Sequence, residues 1–172
     1  MQQNLQLQRE YREEVDRAGR GAGWGLMATS VMTLLMAVGI IPGAPAALRP
    51  FPVVLVHHAL PMLGPLALTV VTVLLHFAYG GLAGVIFAYL ARPMSVGRGL
   101  AYGLGLWLVM EVTFVPWGFG TVEFGLGRGD PWSALFNLVL HLAYGGSLGW
   151  FGARDERWHH VMFDGADRLR VA

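Results

Sequence analysis

Three side chains carry the chemistry that this sequence could do: His76, Glu111 and His141, each set inside a long apolar run. A neutral imidazole offers one donor and one acceptor and is a common metal ligand. Two imidazoles and a carboxylate make a donor set suited to iron or zinc. Two imidazoles alone can serve as axial ligands of a b-type haem. The same groups can relay protons or line a solute path, or they can satisfy one another as a structural network. His57 and His58 could add ligands near the mouth of such a site. Residue type and spacing leave all four chemistries open.

The two histidines are copies of one position. His76-Phe77-Ala78-Tyr79-Gly80-Gly81-Leu82-Ala83-Gly84 returns as His141-Leu142-Ala143-Tyr144-Gly145-Gly146-Ser147-Leu148-Gly149, with six of nine positions identical. Every fourth residue of the first copy reads Leu68, Thr72, His76, Gly80, Gly84; the second reads Ser133, Asn137, His141, Gly145, Gly149. Each stripe has a polar half and a half of small residues. Gly80, Gly84, Gly145 and Gly149 form Gly-x-x-x-Gly faces that let helix backbones approach closely.

The elements that must position these groups follow from hydropathy. Apolar runs near the ~20 residues that cross hydrocarbon fall at about 24–41, 66–90, 99–117 and 133–151. Only 13% of residues are charged and 55% are hydrophobic, with a mean hydropathy of +0.50. A soluble domain carries about 25% charged residues, so the composition predicts an all-α membrane protein with four transmembrane helices. Runs two and four share the nine-residue motif. Runs one and three share a weaker likeness, Met36 and Ile41-Pro42 against Met110 and Val115-Pro116. The unit is a helical hairpin, repeated over about 21–92 and 97–152. A hairpin unit re-enters from the side it left, so the repeats are parallel.

Residues 1–20 predict a separate amphipathic surface helix, with Leu7, Tyr11 and Val15 as its apolar stripe and Glu13–Arg17 and Asp16–Arg20 as i,i+4 pairs. It is too polar for a signal peptide. Residues 153–172 read as a polar tail. All twelve basic residues are arginine, and ten of them fall on the side of the termini and the 92–98 loop. Only Arg49 and Arg128 fall on the other side. The positive-inside rule therefore makes both termini cytoplasmic.

Depth joins the three polar groups. His76 and His141 lie about two turns in from the outer ends of their runs, and Glu111 lies about two turns before the outer end of run three. That level is roughly 10 Å below the outer surface at 1.5 Å per residue. A carboxylate facing lipid there is costly, so Glu111 is expected to face the interior, within hydrogen-bond reach of His76 or His141 directly or through one water or metal. Trp107 is too deep for an interfacial belt and is expected to pack against a helix.

Several functions find no support. There is no cysteine, no phosphate-binding loop after a strand and no nucleophile–base pair in a pocket pattern. A net charge of +1 gives no sign of nucleic-acid binding.

The layout resembles the uncharacterised four-helix membrane proteins of bacteria and archaea akin to the YagU-like domains of unknown function. The likeness rests on Gly25-Leu26-Met27-Ala28-Thr29-Ser30-Val31-Met32-Thr33, His76 with Tyr79-Gly80, Arg98-Gly99-Leu100-Ala101-Tyr102-Gly103, and His141 with Tyr144-Gly145. It implies a multi-pass protein of the prokaryotic cytoplasmic (inner) membrane and carries over no catalytic residue. The reading of the sequence is then a non-catalytic accessory or assembly subunit of a larger membrane complex, or a homo-oligomer, in contact with the lipid bilayer. Its partners would meet residues 1–20 or the Gly-rich stretch 118–130. The alternatives are a redox protein holding b-type haem through His76 and His141 or a transition metal through His76, Glu111 and His141, and a small oligomeric transporter.

Overall fold

A computed structural model describes residues 2–37, 53, 56, 57, 59–111 and 131–170, with side chains of the last helix from Ala134 to Trp158. Most of the Pro-rich segment before Pro65, the Gly-rich stretch 118–130 with Phe119 and Phe124, Arg49, Arg128 and the side chains of residues 159–170 lie outside the described residues. Within them the chain is all-helical, with no strand.

Helix α1 spans Gln2–Met36. The charged N-terminal segment and the first apolar run, expected as two elements, are therefore one continuous helix. No proline interrupts residues 2–36, and a change from polar to apolar side chains does not break backbone hydrogen bonding. Helix α2 spans Pro65–Leu90 and opens on proline in its first turn, where the missing N–H has no intrahelical partner to lose. Helix α3 spans Val96–Val109. Ser95 caps it, its hydroxyl accepting from the Arg98 N–H at 3.2 Å. A π-type turn follows at Met110–Glu111. Helix α4 spans Pro131–Arg170, so the segment expected as a tail continues the helix.

Four full membrane spans were expected. Among the described residues only α2 is long and apolar enough to cross hydrocarbon on its own. Helix α3 has 14 residues, about 21 Å at 1.5 Å per residue, short of the ~30 Å required.

The helices pair as two hairpins, α1 with α2 and α3 with α4, and α1 also packs on α4. Glycine sets both close pairs. A Cβ added at Gly84 would lie 2.6 Å from Gly25 Cα and 2.8 Å from Gly25 N. One added at Gly145 would lie 2.9 Å from both Cα and N of Gly103. Neither backbone can yield, so only hydrogen fits at these crossings. The register is the same in both hairpins. Leu26 covers Gly81 at 3.6 Å and Leu100 covers Gly146 at 3.3 Å. The shift that carries Gly25 onto Gly99 and Leu26 onto Leu100 also carries Met36 onto Met110, the faint likeness seen in the sequence.

The charged ends meet. Tyr89 Oη donates to the Glu14 carbonyl at 3.2 Å, and the Arg17 guanidinium lies 5.4 Å from the Tyr89 ring centroid. Arg20 Nε lies 3.7 Å from Asp155, and the Met94 N–H donates to Glu156 at 2.9 Å. So the starts of α1 and α3 and the C-terminal halves of α2 and α4 share one end, and the hairpins run in parallel. Exposed ion pairs of this kind are worth about 0–1 kcal/mol; their use here is to mark the end of the bundle.

Between repeats the fastening is aromatic. Phe87, fully buried, meets the Tyr102 ring at a centroid distance of 5.2 Å. Tyr102 Oη donates to the Ala83 carbonyl at 2.8 Å, and Tyr144 Oη donates to the Gly80 carbonyl at 2.7 Å. Tyr144→Phe keeps the packing and removes one buried hydrogen bond. It is expected to cost about 1 kcal/mol, read as a lower midpoint in thermal denaturation of the purified protein.

Candidate functional site

The repeats leave a cavity of about 290 Å³ between them. Its lining comes in matched pairs, one residue from each repeat: His76 with His141, Tyr79 with Tyr144, Met32 with Leu106, and Met36 with Met110. Thr29, Val56, Leu75, Gly80, Val109 and Asn137 complete it. The cavity thus lies on the approximate two-fold axis that relates the hairpins. The packing glycines place it there. By holding each hairpin tight at the charged end, they leave the larger Met, Leu and His side chains to fill the space farther along.

The two histidines come together at this cavity, as their shared depth implies, and they differ in setting. His141 is 5% exposed. Its Nδ1 lies 2.8 Å from the Asn137 carbonyl oxygen, one turn back on α4. A carbonyl only accepts, so Nδ1 carries the proton and a neutral ring keeps Nε2 as an acceptor. At His76 it is Nε2 that is buried, and it has no hydrogen-bond partner among the described residues. Thr72, one turn from His76, is buried with its hydroxyl likewise unpaired.

Glu111 does not join them. It is 6% exposed, it does not line the cavity, and neither carboxyl oxygen has a hydrogen-bond partner among the described residues. The expected direct bond to a histidine is absent. The π-type turn at Met110–Glu111 departs from the 3.6-residue register on which that expectation was built. Among the described residues no group of three His, Cys, Asp or Glu stands ready to hold a metal ion. His57 is exposed and off the cavity, and His58 lies outside the described residues. Trp107 is buried, 9% exposed, in keeping with its depth.

Glu111 is buried with no partner for its carboxyl among the described residues, and a carboxyl buried unpaired costs stability. Glu111→Leu is therefore expected to raise the stability of the bundle by about 1–3 kcal/mol. The check is denaturant unfolding of the purified variant in detergent; a loss of stability would mean that the carboxyl is bonded.

The sequence pointed to the histidines and to the glycines of α2 and α4. It did not point to Tyr144 as the link between repeats, or to Met36 and Met110 as equivalent walls of one cavity. The tyrosine sat inside the repeated motif and could have been found by asking what the second copy of a hydroxyl bonds. No family model, curated protein or solved structure matches this chain.

Proposed function

We propose that this chain is a multi-pass membrane protein of the cytoplasmic membrane, with its arginine-rich end inside, acting as a non-catalytic binding or accessory subunit. The observation that carries this reading is the outer surface of the bundle. Only 33% of the apolar window of α2 is buried, and Leu74, Leu82, Leu104, Leu108 and Val139 are all exposed. A soluble helical protein turns such residues inward; contiguous apolar surface of this extent asks for lipid or another chain. The gathering of Arg17, Arg20, Arg92, Asp155 and Glu156 around a second cavity at the opposite end from the outer segment supports the same orientation.

A role beside other subunits is supported by the first half of α1. Residues 2–16 are exposed throughout, and Leu7, Tyr11 and Val15 form a stripe that nothing among the described residues covers. Native membranes washed with alkaline carbonate should retain the protein, and mild detergent should release it in a particle larger than the 18.7 kDa chain. Release by carbonate, or recovery only as a monomer with residues 1–20 cleaved freely, would overturn the proposal.

The haem or metal reading keeps one favourable observation. An imidazole whose Nδ1–H is bonded to a backbone carbonyl is oriented as metal-bound histidines are. Against it, no group of three His, Cys, Asp or Glu stands together among the described residues, and about 290 Å³ is at the small end of ligand sites, tight for a tetrapyrrole. An absorption spectrum and metal analysis of the purified protein separate the readings.

A further inference from the structure

Helix α2 ends beside a cluster of arginines. Leu82, Ile86 and Leu90 recur every four residues along it and are all exposed. Arg92 follows two residues after the last of them. On the membrane reading that stripe faces acyl chains, so Arg92 stands where hydrocarbon gives way to headgroups. The second cavity, of about 390 Å³, lies at this level. Arg92 and Pro93 line it and are exposed, so it opens beside them.

Charge is unevenly matched around this cavity. Its carboxylates are those of Asp155 and Glu156. Asp155 lies 3.7 Å from Arg20 Nε, and Glu156 accepts the Met94 N–H at 2.9 Å. Neither Arg17 nor Arg92 pairs with a carboxylate among the described residues. The Arg17 guanidinium lies instead 5.4 Å from the Tyr89 ring centroid, and its Nε is shut off from solvent with no hydrogen-bond partner. That nitrogen meets no ligand. It marks a half-buried cation whose charge no carboxylate of the described residues meets, and such a charge is costly until an anion meets it. A guanidinium stays charged, and its planar fork matches the oxygens of a phosphate.

Two features favour a lipid over a phosphate from solution. The exposed stripe of α2 leads acyl chains up to Arg92. The rest of the wall is Trp24, Pro93 and Met94, apolar surface that suits the glycerol ester region of a lipid and offers a hydrated ion nothing.

We propose that this cavity holds the phosphate of an anionic phospholipid of the cytoplasmic leaflet, with Arg17 and Arg92 as its cationic partners and the acyl chains along Leu82, Ile86 and Leu90. The inference rests on the membrane reading above, which puts the arginine-rich end inside. Basic pockets between helices on that side are suited to anionic headgroups.

The test uses the full-length protein in mild detergent, with bound lipid counted by native mass spectrometry. Dioleoylphosphatidylglycerol and dioleoylphosphatidylcholine share acyl chains and phosphate and differ in net charge. The first is expected to bind about tenfold more tightly, the worth of one charge-assisted hydrogen bond. Arg17→Gln and Arg92→Gln should each bring the two lipids within about twofold of one another. Arg92 is exposed with no side-chain bond among the described residues, so its variant keeps the proposal testable if Arg17→Gln does not fold. Arg157→Gln, exposed at the same end and off the cavity, makes the same change in net charge and should leave the preference intact. Inorganic phosphate at millimolar concentration should displace no lipid. Equal binding of the two lipids, a preference that survives Arg92→Gln, an equal loss in Arg157→Gln, or displacement by inorganic phosphate would overturn it. A protein held in the membrane that shows no such preference refutes this inference alone; a protein absent from the membrane refutes the reading beneath it.

Discussion

Gly145→Ala is expected to force α3 and α4 apart and to cost about 3 kcal/mol or more. The added carbon would press on the Gly99 carbonyl and lie 2.9 Å from Gly103 Cα and N. These are backbone atoms of a neighbouring helix, so no rotamer change relieves the clash. Gly84→Ala should act alike in the first hairpin, where the carbon would lie 2.6 Å from Gly25 Cα. The control is Gly105→Ala, on the same helix as Gly103 and with nothing within 4 Å of the added carbon. Freed of any clash, it should gain up to about 1 kcal/mol from helix propensity. Denaturation in detergent micelles reads the contrast. Equal stabilities of Gly145→Ala and Gly105→Ala would show that the hairpins do not meet at their glycines.

Phe87→Ala is expected to loosen the repeats from each other by about 2–3 kcal/mol. Phe87 is 0% exposed and lies against Tyr102 of the other hairpin. In a water-soluble core the loss would be about 3–5 kcal/mol, part of it the cost of transfer from water and part the cavity left behind. On the membrane reading proposed above, mainly the packing part is lost, because the unassembled helices remain in hydrocarbon. The residues beside Phe87 are Tyr102, Ala83 and Ala88 of a tightly packed cluster, which gives little room for collapse. A cost below about 1 kcal/mol would mean that the two hairpins hardly depend on each other.

Much of this architecture could be read from the chain. The repeated His-x-Ala-Tyr-Gly-Gly motif announced two equivalent helices, and its glycines announced close crossings; α2 and α4 meet both expectations. The partner glycines, Gly21 and Gly25 on α1 and Gly99 and Gly103 on α3, were less legible, because the two repeats share few side chains there. The conserved feature of those helices is a register, not a composition. The continuity of α1 was hidden by its change of polarity at about residue 20. A shift from charged to apolar side chains reports a change of surroundings, and the backbone runs through it. Glu111 is buried as expected, but its direct bond to a histidine is absent among the described residues. Its depth was counted along an ideal helix to the end of the run, through residues that lie outside those described, and a π-type turn stands at Met110–Glu111 itself. The pairing of His141 Nδ1 with a backbone carbonyl depends on a side-chain rotamer that spacing does not encode.

The parallel hairpins also make a prediction about sides. The start of α1 and the α2–α3 connection lie at the same end of the bundle, and the segment before α2 lies at the other. Single cysteines report this cleanly, since the sequence contains none. Gln3→Cys, Ser95→Cys and Met62→Cys place one thiol each at the N-terminus, at the cap of α3 and in the exposed turn before α2. Labelling of intact cells with a membrane-impermeant maleimide is the most direct measurement of the account. It should modify Met62→Cys and leave Gln3→Cys and Ser95→Cys untouched until the membrane is opened. Labelling of Ser95→Cys from outside, or equal labelling of Ser95→Cys and Met62→Cys, would contradict a membrane bundle of two parallel hairpins.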